Sequence, residues 1–156
     1  LRNRIKPKKK FGIKLVNYKR IKPEFKNLKY KKILSYISNM NTSKEDIALC
    51  VKNKIFETGT SNLLFVSNNK IYSPKNKYYK GINFKFYEKK FKIIKKDILL
   101  NELNQFDEII LVGSGKGVVS TSYIKDHYWK RRKKTVFNSI YNIFKKEFHK
   151  KKYIYN

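Results

Sequence analysis

A series of short apolar segments joined by asparagine-containing turns constrains the fold of this chain more than any other feature. Four segments between residues 47 and 72 have the length and composition of β-strands. These segments are Ile47–Lys52, Lys54–Glu57, Asn62–Ser67 and Lys70–Tyr72. The pair Lys52-Asn53 lies at the junction of the first two segments, and Asn68-Asn69 lies between the last two. Asparagine tolerates the positive φ angles that hairpin turns require. The sequence therefore predicts antiparallel hairpins here, with Pro74 ending the last strand.

The rest of the chain alternates further strands with amphipathic helices. The other predicted strands are Phe11–Val16, Phe91–Lys95, Glu108–Val112 and Val118–Thr121. The predicted helices are Leu28–Asn39, Gly81–Lys90, Asp97–Asn104 and Thr135–Lys150. A loop over Arg20–Lys26 contains Pro23, and Asp97 is the expected N-cap of the third helix. The sequence predicts an α+β fold with mostly antiparallel strands and flanking helices.

Two of these helices have a defined apolar face. Helical spacing places Tyr30, Ile33, Leu34 and Ile37 together on the first helix. The same spacing places Phe137, Ile140, Tyr141, Phe144 and Phe148 together on the last one. These faces are the basis for predicting the two helices.

The length and the charge bound the class of protein. The chain has 156 residues, which suits one domain, and 40% of them are hydrophobic. Its formal net charge of +28 favours an anionic partner in general. However, the lysines are dispersed among Asn, Ile and Tyr, as an A/T-rich codon bias would produce, so nucleic acid is not the expected partner.

The remaining composition excludes several kinds of site. Cys50 is the single cysteine, so no internal disulfide can form, which favours a reducing compartment such as the cytoplasm. Cys50 lies in an apolar run and is expected in the core. No apolar run approaches the length of a transmembrane span, and no signal peptide is visible. His127 and His149 are far apart in the sequence and lack acidic or cysteine neighbours, so no metal site is expected.

The segment Phe56–Val66 carries the first candidate for chemistry. It places one carboxylate, Glu57, shortly before the polar cluster Thr60-Ser61-Asn62, which opens an apolar strand. A carboxylate in such a place can hold a proton on a ring nitrogen, and burial of its charge would require a charged or hydrogen-bonding partner. The alternative is a β-turn with Gly59 at its tip and Glu57 in solvent.

The glycine-rich loop Gly113–Gly117 is the second candidate. Closely spaced glycines allow the backbone to approach an anion, and successive N–H groups can form an anion-binding nest. The loop is not a Walker A motif, because Ile110 stands where that motif has glycine and Gly117 follows Lys116. It is not G-x-G-x-x-G either, since its third glycine comes one residue early. A phosphate cradle of another kind and a simple tight turn both stay open.

Taken in order, these motifs resemble the class IV aminotransferase family, the pyridoxal-phosphate enzymes of fold type IV. The series runs P-x-x-K-x-L-x-Y over 23–30, E-x-x-x-S-N over 57–62, K-G-I over 80–82, and DEIILVGSGKGVV over 107–119. The resemblance extends from about Phe11 to Ile124. It implies the larger C-terminal domain of the D-amino-acid aminotransferase-like fold and pyridoxal 5′-phosphate as cofactor.

The resemblance also implies roles for individual residues. Lys26 matches the catalytic lysine that binds the cofactor covalently and then moves protons. Tyr30 matches the tyrosine that hydrogen-bonds the phenolic oxygen of the cofactor. Glu57 matches the carboxylate that pairs with the pyridine nitrogen.

Further positions match the family's remaining cofactor contacts. Ser61 and Asn62 belong to the glutamate motif. The matches to the phosphate-binding groups are Ile82 and Asn83, at a helix start, and Ser114 and Gly115, in the second phosphate-binding turn. The sequence departs from the family pattern at Thr58, where glycine is frequent, and at Lys29, where asparagine is frequent before the tyrosine.

Within the family, the sequence favours an aminodeoxychorismate lyase-like enzyme that releases pyruvate and 4-aminobenzoate, a folate precursor. The four-residue step from Lys26 to Tyr30 resembles aminodeoxychorismate lyase and D-amino-acid aminotransferase rather than branched-chain aminotransferases. The phrase LVGSGKGV with Tyr128-Trp129-Lys130 resembles the lyase relatives. The alternatives are a branched-chain or D-amino-acid aminotransferase and, in another class, a non-catalytic basic nucleic-acid-binding domain.

The resemblance leads to expectations about the domains and partners. Residues 1–10 are expected to be a basic linker or tail, residues 11–150 the large cofactor-binding domain, and residues 151–156 a tail. The family's smaller N-terminal domain has no counterpart in this sequence, so a fragment or truncated homologue is expected. The expected partners are a small-molecule amino substrate and, if full length, a second copy in a homodimer.

Overall fold

The computed structural model describes residues 5–25 and 30–150. The elements follow in chain order as β1 (Gly12–Asn17), α1 (Lys31–Ile37), β2 (Glu45–Val51), β3 (Lys54–Thr58), β4 (Asn62–Ser67), β5 (Lys70–Pro74), α2 (Ile82–Lys90), β6 (Ile93–Lys96), β7 (Ile98–Leu99), a 3-10 helix (Leu100–Gln105), β8 (Glu108–Gly113), β9 (Gly117–Ser120), β10 (Tyr123–Lys125) and α3 (Thr135–Lys150).

The strands form two five-stranded sheets. The first has the order β10-β1-β2-β3-β7 and the second β6-β5-β4-β8-β9. The predicted hairpins are confirmed, because Lys52-Asn53 and Asn68-Asn69 adopt positive φ and join antiparallel neighbours. Among the described strands, five pairings are antiparallel and three are parallel, so the α+β prediction with mostly antiparallel strands is confirmed.

The main core lies between the two sheets. It includes Ile13 and Cys50 from the first sheet and Phe11, which directly precedes β1. Cys50 is buried as predicted. Burial raises the pKa of the Cys50 thiol, which donates a hydrogen bond to the Val16 carbonyl. The second sheet contributes Leu63 and Phe65, alternate residues of β4 that face the same side.

Helices cover the outer face of each sheet. The other residues of β4, Leu64 and Val66, share a core with Phe84 of α2 and Ile140 of α3, so β4 is apolar on both faces. On the first sheet, Ile33 of α1 packs in a smaller cluster with strand residues of β1 and β2. The result is four layers: α1, the first sheet, the second sheet, and then α2 with α3.

The predicted helix over Asp97–Asn104 is wrong. The chain forms the short strand β7 and then a 3-10 helix, and the N-cap of that helix is Leu99. The carboxylate of Asp97 instead pairs with Lys54 and Lys75, and its pKa lies below the ordinary value, chiefly because of the Lys54 hydrogen bond. Strand pairing with β3 through Ile98 therefore overrides the local capping preference.

Smaller differences concern α1 and β10. Helix α1 is shorter than predicted within the described residues, and Leu34 is exposed rather than packed with Ile33. Strand β10, which the sequence did not predict, extends the first sheet by pairing in parallel with β1. The long helix at Thr135–Lys150 is confirmed, while the side chain of Phe148 lies outside the described residues.

Candidate functional site

A cavity of about 240 Å³ lies where two turns, one between the sheets and one within the second sheet, meet the segment that leads into α2. The first turn joins β3 to β4, and the second joins β8 to β9. The residues that line the cavity are Arg20, Tyr30, Glu57, Gly59, Thr60, Ser61, Asn62, Tyr79, Gly81, Val112, Gly113, Ser114 and Gly115. Two segments that are far apart in sequence thus present backbone and hydroxyl groups to one space.

One wall of the cavity holds a buried ion pair. Glu57 is only 3% exposed and belongs to β3. Arg20 Nε donates to Glu57 Oε1 over 2.8 Å, and Arg20 Nη2 donates to Oε2 over 3.4 Å. The guanidinium also stacks over the Tyr30 ring at 4.8 Å from its centroid. Glu57 is therefore a paired, buried carboxylate, and the alternative of a solvent-exposed turn residue is wrong.

Opposing effects set the ionisation of Glu57. Burial raises the pKa of its carboxyl group, while the Arg20 hydrogen bond and charge and a hydrogen bond with the Tyr79 backbone lower it. Burial is the largest of these effects, so the pKa lies above the ordinary glutamate value. Arg20 is thus the group that compensates most for burying this charge.

The hydroxyl of Thr58 organises the first turn. It accepts hydrogen bonds from the Ser61 N–H at 2.8 Å and the Thr60 N–H at 3.3 Å. Gly113 of the second turn packs directly against this one, since a Cβ built on it would lie 2.5 Å from Ser61 Oγ. Only glycine allows the two turns to approach so closely.

Asn62 fixes the entry to α2. Its Nδ2 donates to the Tyr79 carbonyl over 2.6 Å, and its Oδ1 accepts the Gly81 N–H over 3.0 Å. Asn83, in the first turn of α2, donates from Nδ2 to the Gly113 carbonyl over 3.0 Å. These amides tie the start of α2 to β4 and to the second turn.

The second turn is open toward the solvent side of the cavity. Ser114 and Gly115 are exposed, whereas the flanking Gly113 and Lys116 are buried. A Cβ built on Gly115 meets no atom within 4 Å, so open space adjoins this residue.

The structure brings most of the predicted site residues together. Tyr30, Glu57, Ser61, Asn62, Ser114 and Gly115 all line the cavity. Ile82 and Asn83 follow the lining residue Gly81, and the Ile82 side chain is exposed. Lys26 lies outside the described residues.

Two lining residues, Arg20 and Tyr79, lie outside all of the sequence motifs and were missed. The expectation that a buried Glu57 needs a charged partner was the available signal, but nothing in the sequence distinguished Arg20 from the other basic side chains.

Two further findings concern other kinds of site. Within residues 5–25 and 30–147, there is no group of three or more His, Cys, Asp or Glu side chains that could bind a metal ion. The helices of this part of the chain include none with the length and apolar character needed to cross a membrane.

Comparison with solved structures places this architecture among known folds. A branched-chain aminotransferase from Thermoproteus uzoniensis superposes with a TM-score of 0.78 and 13% identity, over 92% of this chain and 52% of that one. A 4-amino-4-deoxychorismate lyase from Pseudomonas aeruginosa gives 0.73 and 13%, over 88% and 55%. An aminotransferase from Brucella abortus, solved with pyridoxal phosphate bound, gives 0.72 and 16%, over 94% and 57%.

These likenesses show the fold, and the predicted fold type IV is confirmed. This chain spans between 52% and 57% of the length of those three structures. No curated protein matched the sequence. The family model for class IV amino-transferases matches residues 4–124, which is well over half of the chain. The chain belongs to the class IV aminotransferase family.

Proposed function

We propose that this chain is the cofactor-binding part of a pyridoxal-phosphate enzyme that acts as an aminodeoxychorismate lyase, releasing pyruvate and leaving 4-aminobenzoate. The observation that carries the proposal is the buried Glu57–Arg20 pair at the wall of a cavity that two polar turns also line. Class IV aminotransferases use pyridoxal phosphate, whose protonated ring stabilises negative charge on the substrate carbon.

The donor set of the cavity fits such a cofactor. At one wall, Glu57 provides a carboxylate that a protonated ring nitrogen can pair with. At another, the turn at Ser114 and Gly115 offers a hydroxyl, backbone N–H groups and open space where a Cβ would otherwise lie. Pyridoxal phosphate requires an acid opposite its ring nitrogen and a group of donors around its phosphate. The two walls provide these groups.

The task proposed for Arg20 and Glu57 is electrostatic. A buried carboxylate would otherwise tend to become protonated, because burial raises its pKa. Arg20 opposes this change through two hydrogen bonds, which still leave lone pairs on the carboxylate oxygens. The pair can therefore hold a proton on the ring nitrogen of a ligand.

Lys26 is proposed as the covalent attachment point and as the base that takes and returns the substrate proton. Support comes from the sequence match and from Arg20 and Tyr30, which lie on either side of it in sequence and both line the cavity. Tyr30 is proposed to hydrogen-bond the phenolic oxygen of the cofactor. Ser61, Asn62, Ile82 and Asn83 are proposed to shape the phosphate end.

The choice of lyase depends on the sequence: the Lys26–Tyr30 spacing argues against a branched-chain aminotransferase, and the LVGSGKGV phrase favours the lyase. Branched-chain and D-amino-acid aminotransferases are the alternatives. We also propose residues 1–10 as an interdomain linker, residues 11–150 as the large domain, and a homodimer for the full-length enzyme. The backbone N–H of Ile5 donates to the Gly115 carbonyl, so this residue contacts the second turn.

The first test adds pyridoxal phosphate to the purified chain and removes the excess by gel filtration. We expect a yellow protein whose colour is absent from Lys26→Ala and persists in Lys31→Ala, an exposed lysine at the start of α1. Wild-type protein that stays colourless and instead binds nucleic acid in a salt-sensitive manner would favour the basic binding module.

The substrate arm of the same test separates lyase from aminotransferase. It uses the chain and, if its gene encodes residues before Leu1, the longer product, each loaded with cofactor. We expect 4-aminobenzoate and pyruvate from aminodeoxychorismate. Amino transfer that depends on a keto acid, without 4-aminobenzoate, would favour the aminotransferase.

A further inference from the structure

A buried charged cluster behind the cavity joins its two turns. Asp46, in β2, is 2% exposed. Its Oδ1 accepts the Ile47 N–H, and its Oδ2 accepts hydrogen bonds from Thr58 Oγ1 at 3.2 Å and Thr60 Oγ1 at 2.6 Å. The carboxylate thus holds the turn between β3 and β4 through two hydroxyl groups.

Lys116 completes this cluster from the other turn. Its Nζ donates to Asp46 Oδ2 over 3.0 Å and to Thr60 Oγ1 over 2.9 Å, and it lies 6.0 Å from the centroid of the Phe11 ring. Both side chains of the Lys116–Asp46 pair are 1% exposed. A lysine buried to this extent is rare, and its charge must be compensated where it lies.

The cluster lies beside the part of the cavity where a phosphate would bind. Lys116 follows Gly115 directly, and Thr60 and Ser61 line the same cavity as Ser114 and Gly115. Neither Lys116 nor Asp46 lines that cavity. The two residues therefore act on the spacing of the two turns rather than on a ligand.

Close spacing matters because backbone N–H groups bind an anion only when several of them converge on one point. Misplacement of a binding group by about 1 Å can cost roughly 100-fold in function. A charged link between the turns would keep their N–H groups directed at the same point.

We propose that Lys116 is a positioning residue that sets the affinity of the cavity for the phosphate group of its ligand by fixing the second turn to the first through Asp46 and Thr60. This inference depends on the proposed function, because it takes pyridoxal phosphate as the ligand. It predicts a selective effect: the turn contacts phosphate, whereas the ring end is held by Glu57 at another wall.

The test compares two ligands that differ only in the phosphate. Binding of pyridoxal 5′-phosphate and of pyridoxal is titrated by absorbance in wild type, in Lys116→Met and in Lys125→Met, which changes an exposed lysine of β10. We expect Lys116→Met to weaken pyridoxal phosphate binding by at least about tenfold. Its affinity for pyridoxal should change less than about twofold, and Lys125→Met should resemble wild type.

A second variant covers the case in which Lys116→Met fails to fold because Asp46 is left buried without its counter-charge. The double variant Asp46→Asn with Lys116→Met removes both charges and should fold, since replacing a whole buried pair is often tolerated. It should still show the selective loss of affinity for pyridoxal phosphate.

The outcomes are distinguishable. Wild type that binds neither ligand overturns the proposed function and this inference with it. Wild type that binds pyridoxal phosphate while the double variant binds it equally well overturns the positioning role alone. An equal loss for both ligands in either variant would also overturn it, because that pattern indicates a general loss of structure.

Discussion

At the scale of single residues, the site depends on charges that are buried but compensated. Glu57 and Arg20 face each other with 4% and 6% of their side chains exposed. Replacing such a pair by apolar residues is often neutral for stability, while removing one partner is costly. A buried ion pair at the wall of a cavity is therefore better explained by a role for its charge than by stability.

The first prediction at this scale concerns Arg20→Met. The change leaves Glu57 buried without its cation, so we expect the free energy of unfolding to fall by about 3–5 kcal/mol at neutral pH. The folded-state pKa of Glu57 then rises further above its unfolded value. The loss of stability in Arg20→Met is therefore absent below the unfolded-state pKa of Glu57. It grows as the pH rises through the folded-state pKa of Glu57 in the variant. Urea unfolding of wild type and variant across this pH range measures it.

Two companion variants identify the cause of that loss. The double variant Arg20→Met with Glu57→Gln should recover most of the stability, because no charge is left unpaired. Arg20→Lys should be intermediate, since an ammonium cannot form the two-pronged contact of a guanidinium. A deficit in Arg20→Met that is independent of pH would show that packing on Tyr30, rather than charge, is what Arg20 contributes.

At the scale of elements, the site is assembled from the ends of strands and one helix start. The helix start at Gly81 carries no side-chain cap of its own, and its N–H is bound by Asn62 from β4. Asn83 returns a hydrogen bond to the Gly113 carbonyl. The position of α2 relative to the turns is thus set by side-chain amides that reach across elements.

Asn62→Asp tests this link. Aspartate keeps an acceptor for the Gly81 N–H but replaces the Nδ2 donor with an oxygen that faces the Tyr79 carbonyl. We expect the free energy of unfolding to fall by about 1–3 kcal/mol, because a partly buried carbonyl loses its partner. Affinity for pyridoxal phosphate should fall as well. Asn138→Asp, on the exposed side of α3, serves as the control, and matching stabilities in the two variants would contradict the link.

Local elements were predictable from the sequence where the determining contact is local. The asparagine pairs at 52–53 and 68–69 specify their turns through their own φ preferences, and the structure has both. Asp97 failed as a helix cap because its partners, Lys54 and Lys75, come from distant segments.

The candidate site shows the same difference between local contacts, which the sequence predicts, and long-range contacts, which it does not. The sequence motifs identified most of the residues that line the cavity. The groups that hold those residues in place were not predictable, because their partners lie 37 positions apart for Arg20 and Glu57 and 70 for Lys116 and Asp46. In a chain with 39 lysines and arginines, sequence alone cannot select which cation pairs with which acid.

At the scale of the whole molecule, basic residues greatly outnumber acidic ones. The chain has 39 Lys and Arg against 11 Asp and Glu, and several acids already contact two basic side chains each. These acids are Asp97, Glu88 and Asp107. The excess positive charge must repel itself in the compact state, which destabilises folding.

The last prediction is that salt stabilises this protein. Raising sodium chloride from about 0.05 M to about 0.5 M shortens the screening length well below the distance between most surface charges. The melting temperature should rise, and a gain of about 1 kcal/mol would correspond to roughly 2–4 °C. Thermal unfolding followed by circular dichroism measures it, without added phosphate, because phosphate is the proposed ligand of the second turn.

A variant of lower charge provides the matched comparison for this salt effect. Lys31, Lys125 and Lys146 are exposed, and changing all three to glutamate lowers the net charge without touching the cavity. Self-repulsion grows with net charge, so this variant should gain less from the same salt. A melting temperature that stays flat or falls with salt in wild type would mean that local ion pairs, which salt weakens, outweigh the net repulsion.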